Sequence, residues 1–353
     1  MRPLGNRNEM RRRTFLSSAA AMAGATMSGC VPGSAGDVPE LVWGRRGFAD
    51  GKVLKPRAAT IDQHDRIYLV DTTGRIQCFD VDGQFLHGWK TPAAKNGRPT
   101  GLGFDPNTPS DQISGNETSR DEISGDGNSG DGSSGGGRIL VADTHYYRVL
   151  AYTTDGVQIT DDTIGGIPGP DPGQFAFLTD VAIDADGTMY VGEYNAQDRI
   201  QQFDRDGNFV CLWGGTGQGD DEFFRPQSLR VRDGVLYVAD ACNHRIKRYD
   251  LSDRPSPNSP PRRIDTWGRP GRQVGLLGYP YGIDFLSDGN MVVVEYQNAR
   301  VQLFSPDGRP LATWGSPGFE PGMLNGPWAV VVDSKDRVSV VDSNNHRVQR
   351  FTF

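Results

Sequence analysis

The amino-acid sequence predicts an all-β protein, a six-bladed β-propeller whose ring is closed by an N-terminal strand that completes the last blade. Three observations support this fold class: one four-strand unit recurs six times, Asp-Gly pairs separate its strands, and Gly and Pro are abundant. The 353 residues include 46 Gly and 23 Pro, and both residue types interrupt helices. A protein of long helices is therefore excluded, and a closed β architecture is favoured.

The repeating unit is clearest in the middle of the chain. Residues 181–184 and 189–193 are apolar runs separated by Asp186-Gly187, which is a strong signal for a tight turn between two strands. Residues 199–203 alternate polar and apolar side chains, as a half-buried third strand requires. A fourth strand follows and ends at Trp213-Gly214. A single sheet of this kind cannot bury both of its faces, so we expect the six copies to pack radially.

Each copy carries a carboxylate at the end of its second strand and an arginine at the start of its third strand. The carboxylates are Asp71, Asp143, Glu193, Asp240, Glu295 and Asp342. The arginines are Arg75, Arg148, Arg199, Arg245, Arg300 and Arg347. We expect the carboxylates to cap backbone N–H groups of their own loops, and the arginines to form salt bridges between blades.

Two copies contain an Asn-His-Arg tripeptide, at residues 243–245 and 345–347. Together with the sixfold repeat, these tripeptides resemble the NHL repeat family, and the resemblance covers residues 40–353. It implies a six-bladed propeller over that range. Because His244 and His346 occupy the same slot in two blades, we expect them to serve packing and hydrogen bonding within the fold rather than metal ligation.

The ring closure is predicted from the tryptophans that end the fourth strands. These are Trp89, Trp213, Trp267 and Trp314. The sequence stops at Phe353, directly after a third strand, whereas residues 41–44 carry the same Trp-Gly ending before the first blade. We expect this N-terminal strand to supply the missing strand of the last blade, because closure removes an open sheet edge.

Residues 1–29 have the features of an export signal, namely a basic start, a short apolar run and a small-residue end. Residues 12–16 (Arg-Arg-Thr-Phe-Leu) resemble the twin-arginine pattern, and residues 27–30 (Met-Ser-Gly-Cys) resemble a bacterial lipobox, in which the cysteine is lipidated. The resemblance implies a protein that is exported by a twin-arginine-type signal and lipid-anchored through Cys30 at the membrane surface of the cell envelope. Residues 30–39 would be a tether. An ordinary cleaved signal and a protein that is not exported are the alternatives.

Two segments interrupt the repeat. Residues 106–137 are rich in Gly, Ser, Asp and Asn, a composition that predicts disorder. A calcium-binding loop at residues 126–132 is a weak alternative, because the Gly and Glu expected of an EF-hand are out of register. Residues 254–263 form a second, Pro-rich insertion. We expect both insertions to project from the face opposite the candidate site.

The candidate binding site lies where the first strands begin, because these starts converge on the central channel of a propeller. Most of the starts follow a Pro, and the side chains there differ from blade to blade. The predicted channel-face residues are Arg57, Thr100, Asp180 (or its neighbour Thr179), Gln227, Tyr281 and Trp328. The loops between second and third strands add Glu193, Tyr194, Glu295, Tyr296 and His145. Aromatic and charged groups around a concave mouth suit recognition of a peptide or a sugar, and the alternative is that they only plug the channel.

The composition limits the function classes. A net charge of −7 argues against nucleic acid as a partner. The four cysteines contain no CxxC pair, which excludes zinc ribbons and RING fingers. The residues favour a non-catalytic, monomeric binding protein with an envelope protein, a peptide or a glycan as its partner. We expect no cofactor and no metal, and membrane contact through the lipid anchor alone.

Two classes of enzyme remain as alternatives. A calcium-dependent, lactonase-like hydrolase would use channel carboxylates and an amide, for which Asp180, Glu193, Glu295 and Asn298 are the candidates. A zinc lyase would need about three imidazole or carboxylate ligands, and none of the six channel-face positions is His. Whether the chain is an enzyme therefore stays open, with binding favoured over metal-dependent catalysis.

Overall fold

The computed structural model describes residues 38–107, 136–252 and 259–353. In these residues the strands form six four-stranded antiparallel sheets that follow one another along the chain. The first strand of each sheet packs beside the first strands of the neighbouring sheets, around a central channel. The predicted fold class, an all-β six-bladed propeller, is confirmed.

The blades have the following strand bounds. Blade 6 contributes β1 (Leu41–Trp43). Blade 1 consists of β2 (Ala58–Ile61), β3 (Ile67–Val70), β4 (Arg75–Phe79) and β5 (Phe85–Lys90). Blade 2 consists of β6 (Gly101–Asp105), β7 (Arg138–Asp143), β8 (Arg148–Thr153) and β9 (Gln158–Gly165). Blade 3 consists of β10 (Phe177–Ile183), β11 (Met189–Tyr194), β12 (Arg199–Phe203) and β13 (Phe209–Gly214). Blade 4 consists of β14 (Pro226–Arg232), β15 (Val235–Asp240), β16 (Arg245–Asp250) and β17 (Arg262–Trp267). Blade 5 consists of β18 (Pro280–Phe285), β19 (Met291–Glu295), β20 (Arg300–Phe304) and β21 (Pro310–Trp314). The short pair β22 (Ser316–Pro317) and β23 (Met323–Leu324) precedes the rest of blade 6, which is β24 (Ala329–Val332), β25 (Val338–Asp342) and β26 (Arg347–Phe351). Three single 3₁₀ turns, Thr144–Tyr146, Ala241–Asn243 and Ser343–Asn345, lead into third strands.

The Asp-Gly signals form the turns that the sequence predicts. Between β10 and β11, Gly187 has φ +89°, a left-handed conformation that costs glycine little. Its N–H donates to the Asp184 carbonyl at 3.1 Å. The Asp184 side chain accepts the N–H groups of Asp186 and Thr188 at 3.1 and 3.0 Å. The turn is therefore closed by its own first residue.

The hydrophobic core is divided among the blade interfaces. Six apolar clusters occur in the described residues, and each lies between two neighbouring blades. Between blades 5 and 6, Val292 and Val301 pack with Val340, and the Trp314 ring stacks on Phe351 with 4.0 Å between centroids. Each sheet therefore buries both faces against its neighbours, as radial packing requires.

Glycines let the innermost strands approach each other. A Cβ on Gly101 would lie 2.5 Å from the Asp180 Cα atom, and one on Gly103 would lie 2.6 Å from the Val181 carbonyl oxygen. Real Cβ atoms do not make such contacts, so glycine is required where blade 2 meets blade 3.

The ring closes as the sequence predicts. β1 pairs with β26, with Trp43 opposite Val348. Trp43 is 7% exposed, and its ring centroid lies 4.7 Å from that of Phe79 in blade 1. The turn glycine Gly83 of blade 1 also lies against this ring. The N-terminal strand therefore completes blade 6 and packs against blade 1.

The arginines that start the third strands form salt bridges with carboxylates of their own blade. The expectation that they form salt bridges between blades is therefore wrong. The hairpin register explains this, because Asp342 lies directly opposite Arg347. Six pairs of this kind have N–O distances of 2.5 to 2.9 Å: Arg75–Asp71, Arg148–Asp143, Arg199–Glu193, Arg245–Asp240, Arg300–Glu295 and Arg347–Asp342. In blade 6 the carboxylate also accepts the Asn325 N–H at 2.7 Å. The N–H that it caps belongs to the loop entering the blade. In blade 1, Asp71 accepts both an entering-loop N–H, that of Leu54 at 3.1 Å, and the N–H of Thr73 in its own loop at 2.8 Å, as predicted.

The two insertions join the predicted strands, β6 to β7 and β16 to β17. The second insertion ends earlier than predicted, because Arg262 and Arg263 already belong to β17, where Arg262 lies opposite Asp250. The predicted export signal, Cys30, most of the first insertion and half of the second lie outside the described residues. In the part of the chain that the structure describes, no helix has the length and apolar character needed to cross a membrane.

Candidate functional site

Strained backbone marks the points where the chain enters the blades. Lys55, Arg225 and Tyr279 precede the first strands of blades 1, 4 and 5, and they have φ values of 47°, 63° and 54°. Each is followed by Pro, which disfavours helical conformations in the residue before it, and positive φ is uncommon for residues other than glycine. Blade 6 has Gly326 at the same point, with φ 55°. Backbone strain of this kind often occurs at ligand-binding sites.

A side chain of the preceding blade holds each strained residue in place. His346 Nδ1 accepts the Lys55 N–H at 2.9 Å, and His244 Nδ1 accepts the Tyr279 N–H at 3.1 Å. Asp198 does the same for the Arg225 N–H at 2.9 Å. Burial lowers the pKa of both histidines, which favours the neutral imidazole that can accept a hydrogen bond. The two histidines therefore serve the fold, as the sequence predicts.

Six side chains, one from each blade, line a small cavity in the channel, which we call the neck. They are the predicted channel-face residues Arg57, Thr100, Asp180, Gln227, Tyr281 and Trp328. The cavity that they line has a volume of about 20 Å³, which is enough for about one water molecule. Thr179 does not reach the cavity, because its hydroxyl donates to the Pro226 carbonyl in the next blade at 2.5 Å. A ligand larger than water therefore does not fit within the neck itself.

An aromatic cluster lies at one side of the neck and includes two of the neck residues, Tyr281 and Trp328. The Tyr281 ring stacks on Tyr296 with 4.8 Å between centroids, and its edge meets Trp328 at 5.0 Å. Tyr296 and Trp328 also meet edge to face at 5.8 Å. Tyr281 is 9% exposed, and the other two rings are half-buried. The cluster is therefore rigid but still reachable from solvent.

Arginines stack on these aromatic rings. The Arg57 guanidinium lies 5.2 Å from the centroid of Trp328. The Arg225 guanidinium lies 4.6 Å from the centroid of Tyr194 and 5.3 Å from that of Tyr281. We call the set of Arg57, Tyr194, Arg225, Tyr281, Tyr296 and Trp328 the mouth. Burial and the like charges of Arg225 and Arg98 lower the pKa of Arg57. These neighbouring arginines concentrate positive charge at the mouth of an acidic chain.

Three of the predicted site residues lie away from the mouth surface. Glu193 and Glu295 are fully buried, and each pairs with the first arginine of the next strand. Each also accepts a backbone N–H of the loop entering its blade, at 2.6 and 2.7 Å. His145 is half-buried beneath Gly97, and its ring packs on Phe177 at 4.9 Å. Burial lowers the pKa of His145. The two glutamates belong to the framework rather than to the mouth.

The sequence prediction missed Arg225, which contacts more mouth residues than any predicted arginine. It precedes Pro226, whereas the predicted channel-face residues in most blades follow a proline. The proline signal identifies Arg225 when the residues on both sides of each proline are candidates. That its guanidinium reaches Tyr194 and Tyr281 depends on the packing of blades 3, 4 and 5.

A second cavity of about 200 Å³ lies in the channel below the neck, lined by Thr60, Phe104, Arg230 and Asp284 among others. Arg230 pairs with Asp180 at 3.3 Å. Burial raises the pKa of both Asp180 and Asp284. Asp284 accepts the Val332 N–H at 2.8 Å, which ties blade 5 to blade 6. Among the described residues, no three His, Cys, Asp or Glu side chains are grouped to hold a metal ion.

Comparison with known proteins agrees with this architecture. The family model of the NHL repeat matches residues 223–249 and 324–351, which lie in blades 4 and 6. The chain is a six-bladed β-propeller that carries NHL repeats. Over 144 residues the chain is 28% identical to the protein brain tumor of Drosophila melanogaster. The matched stretch covers 39% of this chain and 12% of that protein. The chain thus corresponds to a small part of this curated relative.

Solved structures with the same fold include two lyases. A streptogramin B lyase has 13% sequence identity and a TM-score of 0.52, covering 88% of this chain and 85% of the lyase. A catalytically inactive virginiamycin B lyase from Staphylococcus aureus, solved with quinupristin, has 14% identity and a TM-score of 0.52, covering 84% of this chain and 80% of the lyase. At these identities the similarity concerns the fold alone.

Proposed function

We propose that this protein is an exported, lipid-anchored, non-catalytic propeller that binds a protein or peptide at the mouth. The observation that carries the proposal is the mouth itself: stacked Tyr, Trp and Arg side chains, held half-buried on strained backbone. These three residue types are enriched at protein interfaces and dominate their binding energy. Because stacking already restricts the side chains, little conformational entropy is lost when a partner binds.

The residue differences among blades also support a binding role. The carboxylate and arginine framework repeats in every blade, but the neck positions hold six different residue types. A propeller needs close packing and paired strands, and neither dictates an aromatic cluster on one side of the channel. This chain shares the fold of the two lyases, but a shared fold does not imply the same reaction. In addition, no neck position holds a histidine. Binding is therefore favoured over catalysis.

The binding proposal is tested with a random peptide library displayed on phage and selected on the full chain. Affinities of the selected peptides are then measured for a Tyr281→Ala/Trp328→Ala double variant and for Tyr296→Ala. We expect a loss of about thirtyfold for the double variant, since interface hot spots contribute about 2 kcal/mol. A control variant, Val157→Ala/Leu311→Ala, removes exposed apolar side chains away from the mouth and should bind normally.

Thermal unfolding of each variant separates lost binding from lost folding. Tyr296→Ala is the milder change, because its ring is half-buried, and it should still weaken binding while the melting temperature stays close to that of the wild type. Peptides that bind all variants equally would show that the mouth is not the binding surface. Selection of glycans but no peptides from a parallel array would redirect the proposal to sugar recognition.

Export and lipid anchoring are proposed from the sequence pattern of residues 1–30. The test is a Cys30→Ala variant expressed in a bacterium with a twin-arginine pathway, followed by fractionation. Membrane association of the wild type and its loss in the variant would support a lipid anchor. Equal membrane association of both proteins would contradict it.

A further inference from the structure

The mouth arginines, Arg57 and Arg225, differ in their partners from the arginines that start the third strands. Each third strand starts with an arginine that is bound to a buried carboxylate of its own blade. In the described residues, neither Arg57 nor Arg225 forms a salt bridge. The Arg57 guanidinium donates no hydrogen bond within this part of the chain, and Arg225 donates to the neutral Gln227 side chain at 2.7 Å. Within the described residues, both guanidiniums therefore lack an anionic partner, in a chain whose net charge is −7.

Two carboxylates beside the mouth arginines, Asp180 and Asp198, are already bound to other groups. Asp180 accepts the Leu229 N–H at 3.0 Å and the Ser228 hydroxyl at 3.2 Å, and it pairs with Arg230 below the neck. Asp198 accepts the Arg225 backbone N–H and, at 2.7 Å, the Thr216 hydroxyl. Neither carboxylate bonds to a mouth guanidinium.

The terminal N–H groups of both guanidiniums are free within the described residues. Aromatic rings lie within cation–π distance of Arg57 and Arg225, and Arg225 uses only its Nε–H, which it donates to Gln227. The N–H groups of a guanidinium can form two parallel hydrogen bonds to a carboxylate. Arg98 adds a third positive charge near Arg57, and its guanidinium is held by the Ala94 carbonyl at 3.0 Å. Arg57 and Arg225 are half-buried, and partial burial strengthens the attraction of an anion.

We propose that the mouth recognises a carboxylate group of a bound peptide. Arg57 and Arg225 donate hydrogen bonds to this carboxylate from their free N–H groups, while the aromatic cluster contacts the adjacent residues of the peptide. The inference rests on the proposed peptide binding. The carboxylate comes from an acidic side chain or from the C-terminus of the peptide. Nucleic acid is disfavoured, since its affinity depends on a broad basic surface that neutralises several phosphates.

The experiment uses peptides selected on the full chain and matched derivatives of each. One derivative replaces Asp and Glu by Asn and Gln, and another has an amidated C-terminus. We expect at least one of these to lose about tenfold in affinity, and which one does identifies the source of the carboxylate. The Arg57→Gln/Arg225→Gln variant should bind the parent peptide about as weakly as the wild type binds that neutral derivative. The affinity should also fall as salt is raised, because salt screens the charges.

A matched control separates site recognition from overall charge. The Arg205→Gln/Arg309→Gln variant removes the same two charges from exposed turns on the opposite face and should bind the parent peptide normally. A further variant, Arg57→Lys, keeps the charge but loses the forked edge, and it should show an intermediate loss. These exposed or half-buried changes should leave the melting temperature close to the wild-type value.

The outcomes test the carboxylate inference separately from the proposed peptide binding at the mouth. Peptides whose binding depends on Tyr281 and Trp328, but whose neutral derivatives bind equally well, would overturn the carboxylate inference and leave peptide binding standing. Peptides that bind independently of both the rings and the arginines would overturn both. Arginine-dependent binding of a single-stranded RNA at about 0.15 M salt, in place of any acidic peptide, would also overturn the inference.

Discussion

Ring closure by the N-terminal strand predicts a large loss of stability for Trp43→Ala. The Trp43 side chain is 7% exposed, packs on Phe79 and lies against the turn at Gly83. A large aromatic side chain buries roughly 150–250 Å², which at about 25 cal/mol per Å² corresponds to about 4–6 kcal/mol. Substitutions of buried Trp by Ala cost about 3–5 kcal/mol. We therefore expect the free energy of unfolding to fall by about 4 kcal/mol.

Thermal unfolding followed by circular dichroism measures this effect. For a domain of this size about 2 °C is lost per kcal/mol, so Trp43→Ala should lower the melting temperature by about 8 °C. The matched control is Val42→Ala, on the same strand but 38% exposed, for which a loss below about 1 kcal/mol is expected. If Trp43→Ala lowers the melting temperature no more than Val42→Ala does, the reasoning that the N-terminal strand stabilises the ring is refuted.

Two further predictions concern pH and the close approach of the blades. Burial lowers the pKa of His244 and His346 in the folded state, so below about pH 6.5 the unfolded state binds more protons and stability falls. The His244→Asn/His346→Asn variant should therefore lose less melting temperature than the wild type between about pH 7 and pH 5; an equal loss in both would rule out these histidines as the cause. Gly101→Ala should destabilise by about 1–3 kcal/mol, because its Cβ would meet Asp180. The control Gly215→Ala has open space around the new Cβ; equal melting temperatures for the two variants would contradict the close-packing argument.

Most of the fold could be predicted because the repeat fixes both the blade count and the register of each blade. The closing strand was predictable from Trp43 and from the missing fourth strand of blade 6. The six neck residues share one place in the structure because equivalent positions of a radial repeat lie at equivalent distances from the axis. The buried locations of Glu193 and Glu295 could have been anticipated, since a hairpin places the last residue of one strand opposite the first of the next.

Other features depend on contacts that no local pattern contains. In four blades the third residue of the third strand is Gln, but blade 4 has Lys247 there. This lysine is fully buried, and its ammonium group donates to the Asp220 and Glu222 carbonyls at 2.7 and 2.5 Å. It also lies over the Phe223 ring, and burial lowers its pKa to about 8. The alternating pattern predicted a strand at this point, but only tertiary structure shows how a buried charge is satisfied.

The most direct test of the central claim is site-specific photo-crosslinking in the cells that produce the protein. A photoreactive phenylalanine analogue replaces Tyr296 at the mouth in one strain and Val157, which is 64% exposed on the opposite face, in another. Binding at the mouth predicts a discrete crosslinked partner with the probe at position 296 and none with the probe at position 157. Crosslinking of the same partner from both positions, or from position 157 alone, would contradict binding at the mouth.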